Sequence, residues 1–249
     1  MRKSFSKEEL NAAFRRIGCS LETPVEAYLI GGGAMCFRNQ KAGTKDLDLI
    51  FRSVQDFRSF ASAIEKIGFF EAKQVETEYK DLMAAGIWKN SEDFRIDMFV
   101  NTVCRALHLS DGMVKRAQPL ADYGKLAVKL ASNEDIILFK GITERQDDAN
   151  DIAAIISQAD VGWDVVLDEC KAQSMEHKWY GLLYNKFAEI EEKHKISAPI
   201  MKDLLELDRK SILEEAYARM LSHGMKKENA IAELRKRGFT KKELAHLIS

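Results

Sequence analysis

The 249-residue chain carries 38 Lys and Arg against 39 Asp and Glu, so it has no global basic field of the kind that attracts nucleic acid, although local basic patches remain compatible with this balance. Its four cysteines are far apart and form no CxxC pair, which argues against a disulfide framework and against a structural zinc site. Because no apolar run reaches the roughly 20 residues of a membrane span and no signal peptide is visible, we expect a cytoplasmic protein without a membrane partner.

The first half of the chain alternates predicted helices with predicted strands. Ser6 and Glu9 have the spacing of a capping box, which predicts a helix that runs to about Ile17 and is ended by Gly18. The elements that follow are indicated by short apolar runs, by alternation of apolar and polar residues, or by apolar residues at helical spacing. In chain order they are a strand over 27–30, a helix over 34–38, a strand over 46–51, a helix over 55–67, and strands over 82–88, 94–100 and 126–130.

From Ser132 onward the pattern predicts almost only helices. Ser132 followed by Asp135 is an acceptable helix start. The predicted helices cover 135–142, 147–158, 163–175, 179–193, 199–207, 212–222, 226–237 and 241–248. We therefore expect an α/β half over residues 1–131 and an α-helical half over residues 132–249.

Three acidic residues on two predicted strands form a candidate metal site. Asp46 and Asp48 are residues i and i+2 of one strand, so their side chains leave the same face roughly 6 to 7 Å apart. Asp97 has the matching parity on a later strand. Carboxylates packed together repel one another unless a cation accompanies them, and hard oxygen ligands favour Mg²⁺ or Mn²⁺. Taken alone, however, a pair of acids at this spacing occurs often by chance.

Gly31, Gly32 and Gly33 directly follow the first predicted strand. Glycines let a backbone approach a phosphate closely and direct its amide groups at the phosphate oxygens, although the triplet is equally compatible with a simple tight turn. The spacing is neither that of a Walker A loop nor that of a dinucleotide-binding GxGxxG motif.

These residues together resemble a known signature. The segment Tyr28–Gly33 followed by Thr44-Lys45-Asp46-Leu47-Asp48-Leu49 is similar to that of the nucleotidyltransferase superfamily, which has the DNA polymerase beta-like fold, and Arg95-Ile96-Asp97-Met98-Phe99 matches its third acid. The segment Ser132–Lys140 followed by Arg145–Ile152 looks like the helical segment of AbiEii-type and related small nucleotidyltransferases. Both matches together span about residues 26 to 155.

The resemblance implies an α+β fold with a nucleotidyltransferase-like mixed sheet, flanking helices and a helical C-terminal half. It also implies transfer of a nucleoside monophosphate from a nucleoside triphosphate such as ATP to a hydroxyl of RNA, tRNA or protein. In this reading Asp46, Asp48 and Asp97 are catalytic and bind the metal, with Asp97 helping to activate the acceptor hydroxyl. The residues implied in nucleotide binding are Gly32, Gly33, Thr44, Lys140, Arg145 and Asp148. AbiEii-type proteins further suggest a toxin with an antitoxin partner.

Other interpretations remain open at this point. Lys140 is expected to reach the triphosphate, and Arg145, Asp148 and Asp151 to orient it or the acceptor, but these charges also fit an ordinary network on a helix surface. The chain also fits a catalytically silent nucleotide-binding protein. The basic segment 226–249 fits a small module for tRNA or DNA and a nucleic-acid-binding regulator; we favour a solvated helical pair that packs its apolar residues.

Overall fold

The structure, a computed structural model, describes residues 3–72, 86–103, 106–143, 145–175 and 177–248. The strands of these residues are β1 (Val25–Ile30), β2 (Asp46–Phe51), β3 (Phe70–Glu71), β4 (Gly86–Lys89), β5 (Arg95–Val100), β6 (Thr102–Val103), β7 (Leu107–His108), β8 (Gln118–Tyr123) and β9 (Leu126–Leu130). The helices are α1 (Lys7–Ser20), α2 (Gly31–Phe37), α3 (Val54–Lys66), α4 (Asp111–Arg116), α5 (Asn133–Gly141), α6 (Gln146–Gln158), α7 (Trp163–Gln173), α8 (Tyr180–His194), α9 (Met201–Ser222), α10 (Lys227–Lys236) and α11 (Lys241–Ile248).

A mixed sheet of seven strands organises the first half of the described chain, in the order β3-β4-β5-β2-β1-β9-β8. Its central strands form both parallel and antiparallel pairs. Strand β1 runs antiparallel to β2 and parallel to β9, while β2 runs parallel to β5. This sheet with its helical second half is the mixed α/β architecture that the nucleotidyltransferase resemblance implies.

Helices α2 and α3 cover one face of the sheet. A Cβ atom placed on Gly33 of α2 would lie 2.9 Å from Leu29 Cδ1 and 3.1 Å from Leu47 Cδ2, so that helix rests directly on β1 and β2. Phe51 packs against Phe60 of α3 with ring centroids 5.0 Å apart. Because side chains alternate along a strand, the intervening β2 side chains point to the opposite face.

The helical half shares its hydrophobic core with the sheet. Leu29 and Leu47 belong to the same buried cluster as Leu138 of α5 and Phe187 of α8. A second, smaller cluster joins α9, α10 and α11, and it contains Leu213, Met220, Ala230, Leu234 and Leu244. The division of the chain at residue 131 stays a prediction. In the part of the chain that the structure describes, no helix combines the length and the apolar character that crossing a bilayer requires.

Several element boundaries differ from the sequence-based expectation. Helix α1 passes through Gly18 and ends at Ser20. A Cβ at Gly18 would lie 1.5 Å from the Tyr123 carbonyl oxygen. This glycine therefore permits close packing and does not end the helix. The glycine triplet opens α2, whereas the prediction placed it before the helix. Residues 199–207 and 212–222 were expected as separate helices, but α9 is continuous, since no Gly or Pro interrupts it.

Some short elements were not predicted from the sequence. Strand β8 was overlooked because it is polar and contains Pro119, which an edge strand tolerates. The β6–β7 hairpin and helix α4 are each too short to show a periodic pattern. Of the strand expected over 82–88, residues 82–85 lie outside the described residues and the remainder belongs to β4.

Candidate functional site

The register of three adjacent strands brings the predicted acids together. Asp48 lies opposite Asp97 across the parallel β2–β5 pair, and opposite Ile30, the last residue of β1, on its other side. Asp46 lies opposite Arg95. Neighbouring strands are about 4.8 Å apart, and directly paired residues share a face. The three carboxylates therefore occupy one patch, on the sheet face opposite α2 and α3, where β1 passes into the glycine triplet.

Crowding of these acids perturbs their protonation. Burial, together with the nearby carboxylates of Asp97 and Asp46, raises the pKa of Asp48 to about 7. Burial likewise raises the pKa of Asp97, and the guanidinium of Arg95 opposes that rise only in part. A perturbed carboxyl beside other carboxyls is a feature of catalytic and metal-binding sites more often than of structural ion pairs.

Arg95 is a member of the site that the sequence analysis did not assign. Its Nε donates to Asp97 Oδ1 at 2.5 Å, and its Nη2 donates to Asp97 Oδ2. Both side chains are buried, so this bidentate pair fixes the orientation of Asp97. The available signal was the Arg-x-Asp spacing, which places both side chains on one face of a strand.

The donor set suits a hard divalent cation, although it is not arranged as a finished metal site. In the described ranges, no group of three His, Cys, Asp or Glu side chains is placed to hold a metal ion. An ionised carboxylate has about four acceptor positions, so the two hydrogen bonds from Arg95 leave Asp97 able to accept further contacts. A divalent ion would also relieve the repulsion that raises the Asp48 pKa.

The glycine triplet touches the acid-bearing strand. Gly31 has φ +60°, and a Cβ there would lie 2.3 Å from Asp48 Oδ2. A Cβ on Gly32 would lie 2.6 Å from Thr44 Oγ1, whose hydroxyl donates to the Asp46 carbonyl at 3.0 Å. Helix α2 has no side-chain cap at its start within the described chain. Glycine is therefore required here because backbone and carboxylate meet at atomic contact.

We expect Gly31→Ala to destabilise the protein by at least about 1 kcal/mol more than Gly68→Ala does. Both glycines have positive φ, which costs an alanine roughly 1–2 kcal/mol. Only at Gly31 does the added methyl group also collide with a neighbour, the Asp48 carboxylate, whereas nothing lies within 4 Å at Gly68. Urea unfolding of both variants measures the difference, and equal destabilisation would contradict the described contact.

Lys140, predicted to reach the triphosphate, lies in a buried network between α5 and α6. Its Nζ is 2.6 Å from Asp148 Oδ1 and 2.8 Å from Asp151 Oδ2, and its side chain is 10% exposed. Thr143 donates to the other Asp148 oxygen. Burial opposes the charge on Lys140, but the two carboxylates prevail and raise its pKa. Among the charges for which a helix-surface network was the alternative, Lys140, Asp148 and Asp151 are therefore buried, whereas Arg145 is exposed.

Lys41 is a second cation of the site that the sequence analysis missed. It lies between α2 and β2, and its Nζ is 2.7 and 3.0 Å from the two oxygens of Asp151. Its side chain is 36% exposed. The neighbouring Gln40 amide donates to Asn133 at 3.0 Å, which holds this loop against α5. Its position between the glycines and the paired acids was the one available signal.

Arg145 completes the positive side of the site. It precedes α6 and is exposed, and its charge opposes only in part the rise in the pKa of Asp48 and of Asp97. Lys186 of α8 donates to the Arg145 carbonyl at 3.3 Å. Of the predicted residues, Asp46, Asp48 and Asp97 share the patch, and Gly32 and Thr44 lie against each other beside it. Lys140 and Arg145 act on Asp48 through their charges, whereas Asp148 binds Lys140 and Gly33 packs on Leu29 and Leu47.

Comparisons with solved structures found only distant similarities among the matches described below. The chain resembles lincomycin-bound LnuA, a lincosamide antibiotic adenylyltransferase, with 18% identity and a TM-score of 0.37 over 53% of this chain and 87% of that one. An H. pylori protein provisionally described as a nucleotidyltransferase shows 14% identity and a TM-score of 0.38 over 82% of this chain and 92% of its own. Likenesses this distant say nothing about the substrate. No curated protein matches the sequence.

A family model gives the stronger result. The model described as "Nucleotidyltransferase of unknown function (DUF6036)" matches residues 10–195, which include the sheet, all three acids and helices α5 to α8. Because this match covers well over half of the chain, the protein belongs to that nucleotidyltransferase family.

Proposed function

We propose that the protein transfers a nucleoside monophosphate from a nucleoside triphosphate to a hydroxyl group of an acceptor. The observation that carries this proposal is the pairing of Asp48 with Asp97 beside the glycine triplet, in a member of a nucleotidyltransferase family. In the reaction the acceptor oxygen forms a bond to the α-phosphorus, the bond from that phosphorus to the bridging oxygen breaks, and pyrophosphate leaves with that oxygen.

Asp46, Asp48 and Asp97 are the residues that would hold one or two Mg²⁺ or Mn²⁺ ions, which when bound would neutralise charge on the phosphate oxygens. We assign the general base to Asp97, because Arg95 holds its carboxylate in a fixed orientation. The proton of the acceptor hydroxyl would pass to this carboxylate, directly or through water. Backbone N–H groups at the start of α2, from Gly32 and Gly33, would bind the phosphates, with Thr44 supporting them.

We further propose that Lys41 is the cation that contacts the triphosphate, and that Lys140 supports Lys41 indirectly through a shared carboxylate. Lys41 is partly exposed, and its Cδ comes within 4.0 Å of the position of a Cβ on Gly32. Lys140 is buried and engaged by two carboxylates. It would orient Asp151, which Lys41 shares, and so hold Lys41 near the glycines.

We expect Lys41→Met to raise the apparent KM for the triphosphate about tenfold and to change kcat less. Loss of one charged contact with a phosphate corresponds to roughly 1.5 kcal/mol, and it acts on bound substrate and transition state alike. Binding of the triphosphate should weaken more than binding of the corresponding monophosphate, which a purely structural role would not cause. Lys66→Met is the matched control, since Lys66 is similarly exposed and pairs with Glu22. Unchanged triphosphate affinity in Lys41→Met would contradict this role.

The direct test of function is incubation with each labelled triphosphate, Mg²⁺ or Mn²⁺, and total RNA, tRNA or cell protein. Incorporation of label that requires both the metal and an acceptor supports the proposal and identifies the acceptor. Thermal stabilisation by a triphosphate without turnover would instead indicate a catalytically silent nucleotide-binding protein. The role of a toxin with an antitoxin partner stays a prediction from the family resemblance.

A further inference from the structure

The last helices form a unit with its own core, outside the segment that the family model matches. Leu213 and Met220 of α9 are buried against Leu234 of α10 and Leu244 of α11, in a cluster distinct from the main core. The family match ends at residue 195. We call residues 209–248 the C-terminal unit.

The charge of the C-terminal unit differs from that of the rest of the chain. It contains ten Lys and Arg against five Glu and no Asp, a formal net charge of +5 in a chain whose total is −1. Every one of these ten cationic residues is exposed. Such segregation of charge is the electrostatic footprint of a surface that meets a polyanion.

Most of these cations have no acidic partner among the described residues. The cations that do have a carboxylate within salt-bridge distance are Arg209 with Glu243 at 2.9 Å, Arg237 with Glu233 at 3.4 Å, and Lys210 with Glu214 at 3.8 Å. The cations of the C-terminal unit for which the described chain supplies no carboxylate within salt-bridge distance are Arg219, Lys226, Lys227, Arg235, Lys236, Lys241 and Lys242.

A hollow of about 510 Å³ lies between α9 and α10 of the C-terminal unit. Arg219, His223 and Arg237 line it together with Met220 and Met225, and none of the described residues that line it is acidic. Guanidinium and imidazole groups both bind phosphate and stack on nucleic acid bases. Methionine thioethers make favourable contacts with aromatic rings. The hollow thus offers contacts to the phosphate and to the base of a nucleotide.

We propose that the C-terminal unit binds single-stranded RNA, with the hollow receiving one nucleotide and the surrounding lysines contacting the backbone. An anionic membrane would need several exposed large apolar side chains beside the charges, whereas the large exposed apolar residues of the described unit are Ile212 and Met225. This binding goes beyond the proposed function and requires neither a nucleoside triphosphate nor the acids of the sheet.

The test measures binding of a fluorescent 20-nucleotide RNA to the full chain by anisotropy over a series of salt concentrations. The variant Arg219→Gln/Lys227→Gln/Arg237→Gln removes three exposed charges of the C-terminal unit. We expect its Kd to rise at least about tenfold, and the slope of log K against log salt to become shallower by roughly two, at about 0.7 per lost phosphate contact. Circular dichroism confirms that the variant is folded.

A matched control removes three exposed lysines elsewhere, in Lys66→Gln/Lys125→Gln/Lys171→Gln, with the same change in net charge. Equal loss of binding in both triple variants, or no RNA binding by the wild type, would overturn the proposal, as would binding of phosphatidylcholine–phosphatidylglycerol vesicles in preference to RNA. The variant Asp46→Asn/Asp48→Asn should bind RNA like the wild type, which separates failure of this inference from failure of the proposed transfer.

Discussion

Replacing Asp46 and Asp48 together by Asn is expected to lower nucleotidyl transfer by at least about 10³-fold. Both carboxylates belong to the proposed metal-binding patch, and loss of the charge stabilisation that such a patch provides corresponds to about 4 kcal/mol or more in the transition state. Initial rates with the labelled triphosphate and acceptor found in the screen would measure the effect. Binding of Mn²⁺ by the variant, followed by calorimetry, should weaken in parallel.

Loss of activity in this variant should not come from unfolding. The pKa of Asp48 is raised to about 7 in the folded protein, from an unfolded value near 4, so its ionisation opposes folding increasingly as the pH rises from about 4 to 7. Removing that charge should leave stability at pH 8 without metal equal to or above that of the wild type. Asp122→Asn/Asp168→Asn, which removes two exposed carboxylates elsewhere, is the control. Full activity in Asp46→Asn/Asp48→Asn would refute the assignment.

Replacing Lys140 by Met is expected to destabilise the protein by about 3–5 kcal/mol. Its Nζ is the shared partner of Asp148 and Asp151, so its removal leaves two acidic groups with reduced compensation in a buried region between α5 and α6. Urea unfolding, followed by the tryptophan fluorescence of the folded core, provides the measurement. Transfer activity should also fall, because the variant no longer orients Asp151.

Two comparisons make this second experiment decisive. Lys41→Met removes a partly exposed lysine from the same carboxylate and should cost no more than about 1 kcal/mol. Adding Asp148→Asn and Asp151→Asn to Lys140→Met should recover part of the lost stability, because the uncompensated charges are then absent. If Lys140→Met stays within 1 kcal/mol of the wild type, the buried network does not contribute to folding in the manner described.

Local features of the fold and of the site could be predicted from the sequence because each depends on a short, regular spacing. The capping box at Ser6 and Glu9 is present, and the common face of Asp46 and Asp48 follows from strand geometry. The convergence of Asp97 needed one further assumption, that its strand lies next to β2 with matching register.

The pairing of charges could not be predicted in the same way. Lys41 and Asp151 are 110 residues apart, and no periodicity relates them. Whether Lys140 faces solvent or a carboxylate depends on how α6 returns past α5, which short-range patterns do not specify. The spacing of Arg95 and Asp97 puts both side chains on one face of their strand, but the choice of Asp97 as the partner of Arg95 depends on the exact side-chain geometry within the sheet.

Asp151 accepts from Lys41 in the loop before the acid-bearing strand and from Lys140 in the helical half. It therefore couples two stretches of sequence that would otherwise drift independently. A substitution that changes the charge or the length of the side chain at position 41 alters the charge compensation of Asp151. Through Asp151 it also alters the charge compensation of Lys140. Among relatives with this arrangement, we therefore expect positions 41, 140 and 151 to change together. Joint substitution at these positions would indicate a shared charge network better than the identity of any one residue does.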